Sequence, residues 1–180
     1  MNVSATAHRL SATGLRVTPA GRWTSVAGAA YVAAWLVGLV LAPSAPAADA
    51  SAAEIHAYYA QSVPAILVQA SLVHGVAGLA LAVLALAIPS ATGAAASARR
   101  LILASGLAGA VVSLAQWAFA VAATRDVGHT AAATSQTLFN AINVADTAKL
   151  VLLAVHRPRL AAAFVSVVTA NAVLMALWAP

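Results

Sequence analysis

Five residues of this chain are of types that could do chemistry inside otherwise apolar runs: His74, Asn140, Asn143, Asp146 and Lys149. An ionisable group at the centre of a bilayer costs about 2.5–3.5 kcal/mol on insertion scales, so such a residue marks a functional position by default. Asp146 and Lys149 stand three apart, a spacing at which helical side chains meet. The plainest reading of the two is mutual neutralisation, with Lys149 extending its stem towards the inner headgroups. Asn140, Asn143, Asp146 and Lys149 recur at every third position. Each step turns through about 300°, so the four spread over roughly half the helix circumference, facing other helices or a wet cavity. His74 lies about nine residues into its own apolar run, ~13 Å deep at the helical rise and level with Asp146. An imidazole and a carboxylate sharing a proton there would form a relay or a pH-responsive contact. The plainer alternative is a neutral His74 bonded to a hydroxyl or carbonyl.

Other chemistry finds little support. His8, His56, His129 and His156 all fall outside the apolar runs, so no pair of histidines is placed to hold a haem. The spacing of a zinc site, a Gly-rich phosphate loop and a GxSxG elbow are absent, and Ser135, Thr137 and His129 lack the local pattern of an activated nucleophile. No cofactor or metal is expected, and an enzyme is the least favoured class. The pI near 10.8 comes from nine scattered Lys and Arg residues, with no basic stripe to hold a nucleic acid.

The elements that position these residues follow from composition. Of 180 residues 63% are hydrophobic and 7% charged, whereas a soluble domain carries about a quarter charged residues. The apolar residues come in runs long enough to cross a bilayer, at residues 23–42, 65–88, 101–123, 138–155 and 160–179. Residues 1–22, with Arg9, Arg16 and Arg22, read as a flexible tail. The first run could instead be a signal peptide, since Arg22 precedes it and Ala45-Pro46-Ala47 or Ala48-Asp49-Ala50 could be cleaved; its length favours an uncleaved span. In the loop after it, Ser51-Ala52-Ala53-Glu54 is a capping box, and Ile55, Tyr58 and Tyr59 recur at helical spacing. They predict a short helix over residues 52–61, either interfacial, lying flat on the membrane surface, or a connector that simply closes the loop. Small residues four apart predict helix-contact faces: Ser71 and Gly75, Gly78 and Ala82, Ala104 and Ala108, and Ser105, Gly109 and Ser113.

Lys and Arg are retained on the cytoplasmic side of short loops. With the first terminus inside, Arg9, Arg16, Arg22, Arg99, Arg100, Arg157 and Arg159 are all cytoplasmic and only Arg125 is outside. Five spans then place the last terminus outside the cell membrane. The chain stops at Pro180, flush with the fifth run, which is compatible with a sixth helix in a fuller version.

The segment Asp49-Ala50-Ser51-Ala52-Ala53-Glu54-Ile55-His56-Ala57-Tyr58-Tyr59-Ala60, between a first and a second span, resembles the outer loop of small multi-pass membrane proteins of actinobacteria. The resemblance covers residues 23–155, including the Asn/Asp/Lys-bearing fourth run, and lapses after Val155, where that family commonly continues with further helices. It implies an integral membrane protein and supplies no catalytic residue, because the domains of that family have no assigned function. The expectation is therefore an all-α transmembrane bundle of about five helices. Its favoured role is a structural or interaction component in the lipid bilayer, pairing with itself or another membrane protein through small-residue faces. The alternative is a small proton-linked transporter using His74, Asp146 and Lys149. The alternative requires a wet cavity beside Asp146; the favoured role requires a packed interior.

Overall fold

The computed structural model describes residues 19–154, apart from residues 42 and 126. The expected fifth run and most of the expected tail lie outside the described residues. The described chain is all-helical: α1 (Pro19–Leu41), α2 (Ala52–Gln61), α3 (Val63–Thr92), α4 (Ala96–Thr124) and α5 (Ala132–Ala154). Three of these, α1, α3 and α4, are long and apolar enough to cross a membrane.

Local chemistry sets the ends. Pro19 opens α1 and Pro64 sits in the first turn of α3, where the missing N–H costs no helical bond. The sequence places the end of α3 at Pro89, but the helix runs one turn further, to Thr92. A proline near a helix end forfeits few bonds, and Gly93, at φ 61°, is the residue that stops the helix. Helix α4 begins five residues ahead of the expected 101, and α5 six ahead of 138, because the small residues Ala96 to Ala98 and Ala132 to Ser135 extend each helix beyond its apolar run. Helix α2 matches its expected bounds. Ser51 donates from its amide (2.8 Å) and its hydroxyl (2.7 Å) to Glu54 Oε2, while the Glu54 amide donates to Ser51 Oγ at 3.3 Å. Those bonds, the hydroxyl's above all, hold the Glu54 carboxyl below the usual carboxylate range.

Helices α3 and α4 form the central pair. Helix α1 packs along α3 and α5 along α4, but α1 and α5 make no close backbone approach to each other. The packed faces are lined by small residues, among them Ala27, Ala34 and Gly38 of α1, and Gly106, Gly109 and Ala110 of α4. The large apolar side chains point the other way: Leu36 and Val40 on α1, Leu79 and Leu86 on α3, Val111 on α4 and Val144 on α5 are all exposed. In water this arrangement would be inverted, since burying Leu and Val drives soluble folding; next to lipid, close approach of backbones is what holds helices together. The contact face of α4 runs through residues 106, 109, 110, 113, 116 and 120, whereas Ala104, expected on a contact face, is exposed.

The closest approaches are at glycine. A Cβ on Gly38 would collide with Val73, and one on Gly106 would lie 2.5 Å from Ala85 Cβ. Gly106→Ala should therefore destabilise the bundle by about 1–3 kcal/mol, the usual cost of overpacking. Ala85→Gly in the same chain should restore much of the loss, read as a coupling in unfolding titrations in detergent. A Gly106→Ala protein as stable as the parent would show that α3 and α4 do not meet at this point.

Candidate functional site

Helix α5 carries the polar residues, and its neighbours decide their fates. Lys149 is 3% exposed. Its Nζ lies 2.9 Å from Asp146 Oδ1 and donates to Gln116 Oε1 at 3.0 Å, and it stands 5.7 Å from the centre of the Trp35 ring. Gln116 is fully buried and donates its own amide to the Ile142 carbonyl at 3.0 Å. The ammonium thus touches α1, α4 and α5 at once. The expected pairing with Asp146 is present, but Lys149 does not extend to the headgroups. Its charge is satisfied inside by a carboxylate, an amide oxygen and an indole face, so carrying the stem outward would gain nothing. Asp146 is the more open partner, its side chain 40% exposed against 4% for that of Lys149.

Helix α3 presents His74 from a π-helical segment, Ser71–Val76. Such a segment widens one turn and re-aims its side chains, and it recurs at functional sites. Trp117 of α4 braces it, donating from Nε1 to Ser71 Oγ at 3.2 Å, with its indole packed beside Gly75. His74 is 7% exposed, and its Nδ1, fully buried, has no hydrogen-bond partner. A buried polar atom left in that state costs free energy.

His74 and Asp146 line one cavity of about 240 Å³. It lies where the backbones of α1 and α5 stay apart, with Trp35 on one wall, Gln69 and His74 on the second, and Asn143 and Asp146 on the third. Tyr58 and Tyr59 of α2, with Pro43 and Ala45 of the preceding loop, close one end. Helix α2 is therefore a cap on the bundle. Ile55 and Tyr59 are buried in a cluster with Ile66, Ala123 and Phe139, and His56 Nδ1 is 3.1 Å from the Oγ of the fully buried Ser135 of α5. The apolar face expected to meet lipid meets the helix ends instead, since α3, α4 and α5 offer it apolar partners. Burial pushes the phenols of Tyr58 and Tyr59 above their ordinary range, so both remain neutral donors.

Of the sequence candidates, the structure brings His74, Asn143 and Asp146 to one cavity and places Lys149 directly behind Asp146. Asn140 is exposed and does not line it. Gln69, Gln116 and Trp35 are the site residues that periodicity missed. The two glutamines carried a usable signal, being uncharged polar residues inside spans, but the alignment of their depths with Lys149 and His74 needed the helix packing. Among the described residues no three His, Asp or Glu side chains converge as a metal would require.

Removing one partner of a buried charge network is worse than removing both. Lys149→Met should destabilise the bundle by roughly 2–3 kcal/mol, less than the full buried-pair value because Asp146 is part-exposed. Adding Asp146→Asn should recover part of the loss in detergent unfolding; a fully additive loss would mean the two do not interact.

No family model matches the chain, and neither a curated protein nor a solved structure does.

Proposed function

We propose that the chain is an integral protein of the cell membrane, first terminus cytoplasmic and last terminus outside, kin to the small actinobacterial multi-pass proteins, and that it acts as a small proton-linked carrier. The observation that carries this reading is the cavity of about 240 Å³ that His74 and the part-exposed Asp146 line together. A structural or interaction component has reason to fill its interior with the alanine and glycine packing used elsewhere in this bundle; a carrier must leave space for its solute beside groups that take up and release protons. Asp146 and His74 are the two groups on that wall able to do so. The seven basic residues assigned to the inner flanks support the orientation, which puts α2 and the capped end of the cavity on the outer side.

The chain has no cysteine, so a single introduced thiol reports on its own position. In intact cells, Asn143→Cys should react with a small membrane-impermeant methanethiosulfonate added outside, at least ~10-fold faster than Val144→Cys, which is 70% exposed on the apolar face. Reaction only after permeabilisation would overturn the orientation. Inertness at both positions would overturn the wet cavity. In proteoliposomes, Asp146→Asn should abolish solute-driven proton flux while retaining the parent's elution profile; unchanged flux would remove Asp146 from the transport step.

A further inference from the structure

The cavity's charge and lining go further than a generic solute. Among the described residues, its wall carries one carboxylate, Asp146, and no ammonium or guanidinium. Lys149 neutralises Asp146 from behind, buried against Gln116, so the cavity sees the carboxylate first and the ammonium only through it. A charge distribution of that shape favours a positive occupant. The rest of the wall agrees, since four aromatic residues, Trp35, Tyr58, Tyr59 and Phe139, line the space. Aromatic faces attract cations, and Trp35 already does so here, holding the Lys149 ammonium 5.7 Å from its centre. His74 borders the same space.

The approach to the cavity has the same sign. A second, wider hollow of about 670 Å³ lies on the outer face of α2 and its preceding loop, and it shares Pro43 and Tyr58 with the inner cavity. Asp49 and Glu54 border it, and among the described residues no basic side chain does. Pro43 and Tyr58 lie between this acidic vestibule and the cavity that Asp146 lines.

We propose that the carried solute is a small organic cation, an amine or quaternary ammonium, which passes from the Asp49–Glu54 vestibule beside Pro43 and Tyr58 to sit between Asp146, His74 and the aromatic wall. This rests on the carrier reading and adds the substrate class. A volume of about 240 Å³ equals roughly eight waters and limits the occupant to a molecule of a few heavy atoms. The cation meets the open side of the part-exposed Asp146 carboxylate, which keeps its contact with Lys149.

The test uses the full chain bearing Asn143→Cys and two probes of equal shape, choline and its uncharged carbon analogue 3,3-dimethyl-1-butanol. Choline should slow thiol labelling at least ~10-fold and the alcohol should not. The trimethylammonium-ethyl methanethiosulfonate should also react faster than the sulfonato-ethyl reagent, relative to Gly128→Cys in the outer loop. Both preferences should vanish with Asp146→Asn and persist with Asp146→Glu. Equal protection by choline and the alcohol, or a preference untouched by Asp146→Asn, overturns the proposal. Should Asp146→Asn not fold, the contrast between choline and the alcohol in the Asn143→Cys chain decides alone. A thiol at position 143 that never reacts defeats the carrier reading itself, whereas one that reacts without regard to charge defeats only the cation.

Discussion

The ammonium of Lys149 is the group around which the bundle is arranged. A lysine buried to 3% exposure among apolar helices is tolerable only if each of its donors finds an acceptor or a ring face. Asp146 comes from one turn earlier on the same helix, Gln116 from α4 and Trp35 from α1. Helix α5 is the least apolar of the long helices and is not among those apolar enough to cross a membrane by composition. Its polar face is drawn into the bundle by partners on α1 and α4, and Gln116, whose Oε1 accepts from Lys149, donates from Nε2 back to the α5 backbone at Ile142. The position of α5 follows from where those partners stand.

A second constraint acts on the remaining helices. Lipid competes for large apolar side chains as well as protein does, so the stable contacts are those where small residues bring backbones together. Glycine at positions 38 and 106 sets how closely α1 and α4 approach α3, and the large residues are left facing outward. Tight packing of α1 on α3 and of α5 on α4 leaves α1 and α5 apart, and the gap between them becomes the cavity. The π-helical turn at Ser71–Val76 then delivers an imidazole into that gap. Close packing and the open site are two results of one arrangement.

The cap is the part of the fold closest to ordinary soluble chemistry. A capping box starts α2, Ile55 and Tyr59 bury themselves as in any small core, and the bond between His56 and Ser135 ties the cap to α5. That attachment sets Tyr58 and Tyr59 against the cavity, with Tyr58 also bordering the acidic hollow. Helix α2 is fixed at one face, and Tyr58 borders both hollows.

Composition alone determined the class. With 63% hydrophobic and 7% charged residues, only a chain of apolar helices accounts for the runs, and the Ser51–Glu54 box located α2 to the residue because capping is local chemistry. The pairing of Asp146 with Lys149 was legible for the same reason: both partners sit one turn apart on one helix. What depends on more than one helix was not legible. The inward turn of Lys149 needs Gln116 and Trp35, the exclusion of Asn140 from the site depends on how α5 is rotated, and the cavity exists because two helix backbones stay apart. The π turn at His74 is a change of backbone register that the side-chain pattern of an α-helix does not announce. Helical periodicity says which residues share a face of one helix; only packing decides what that face meets.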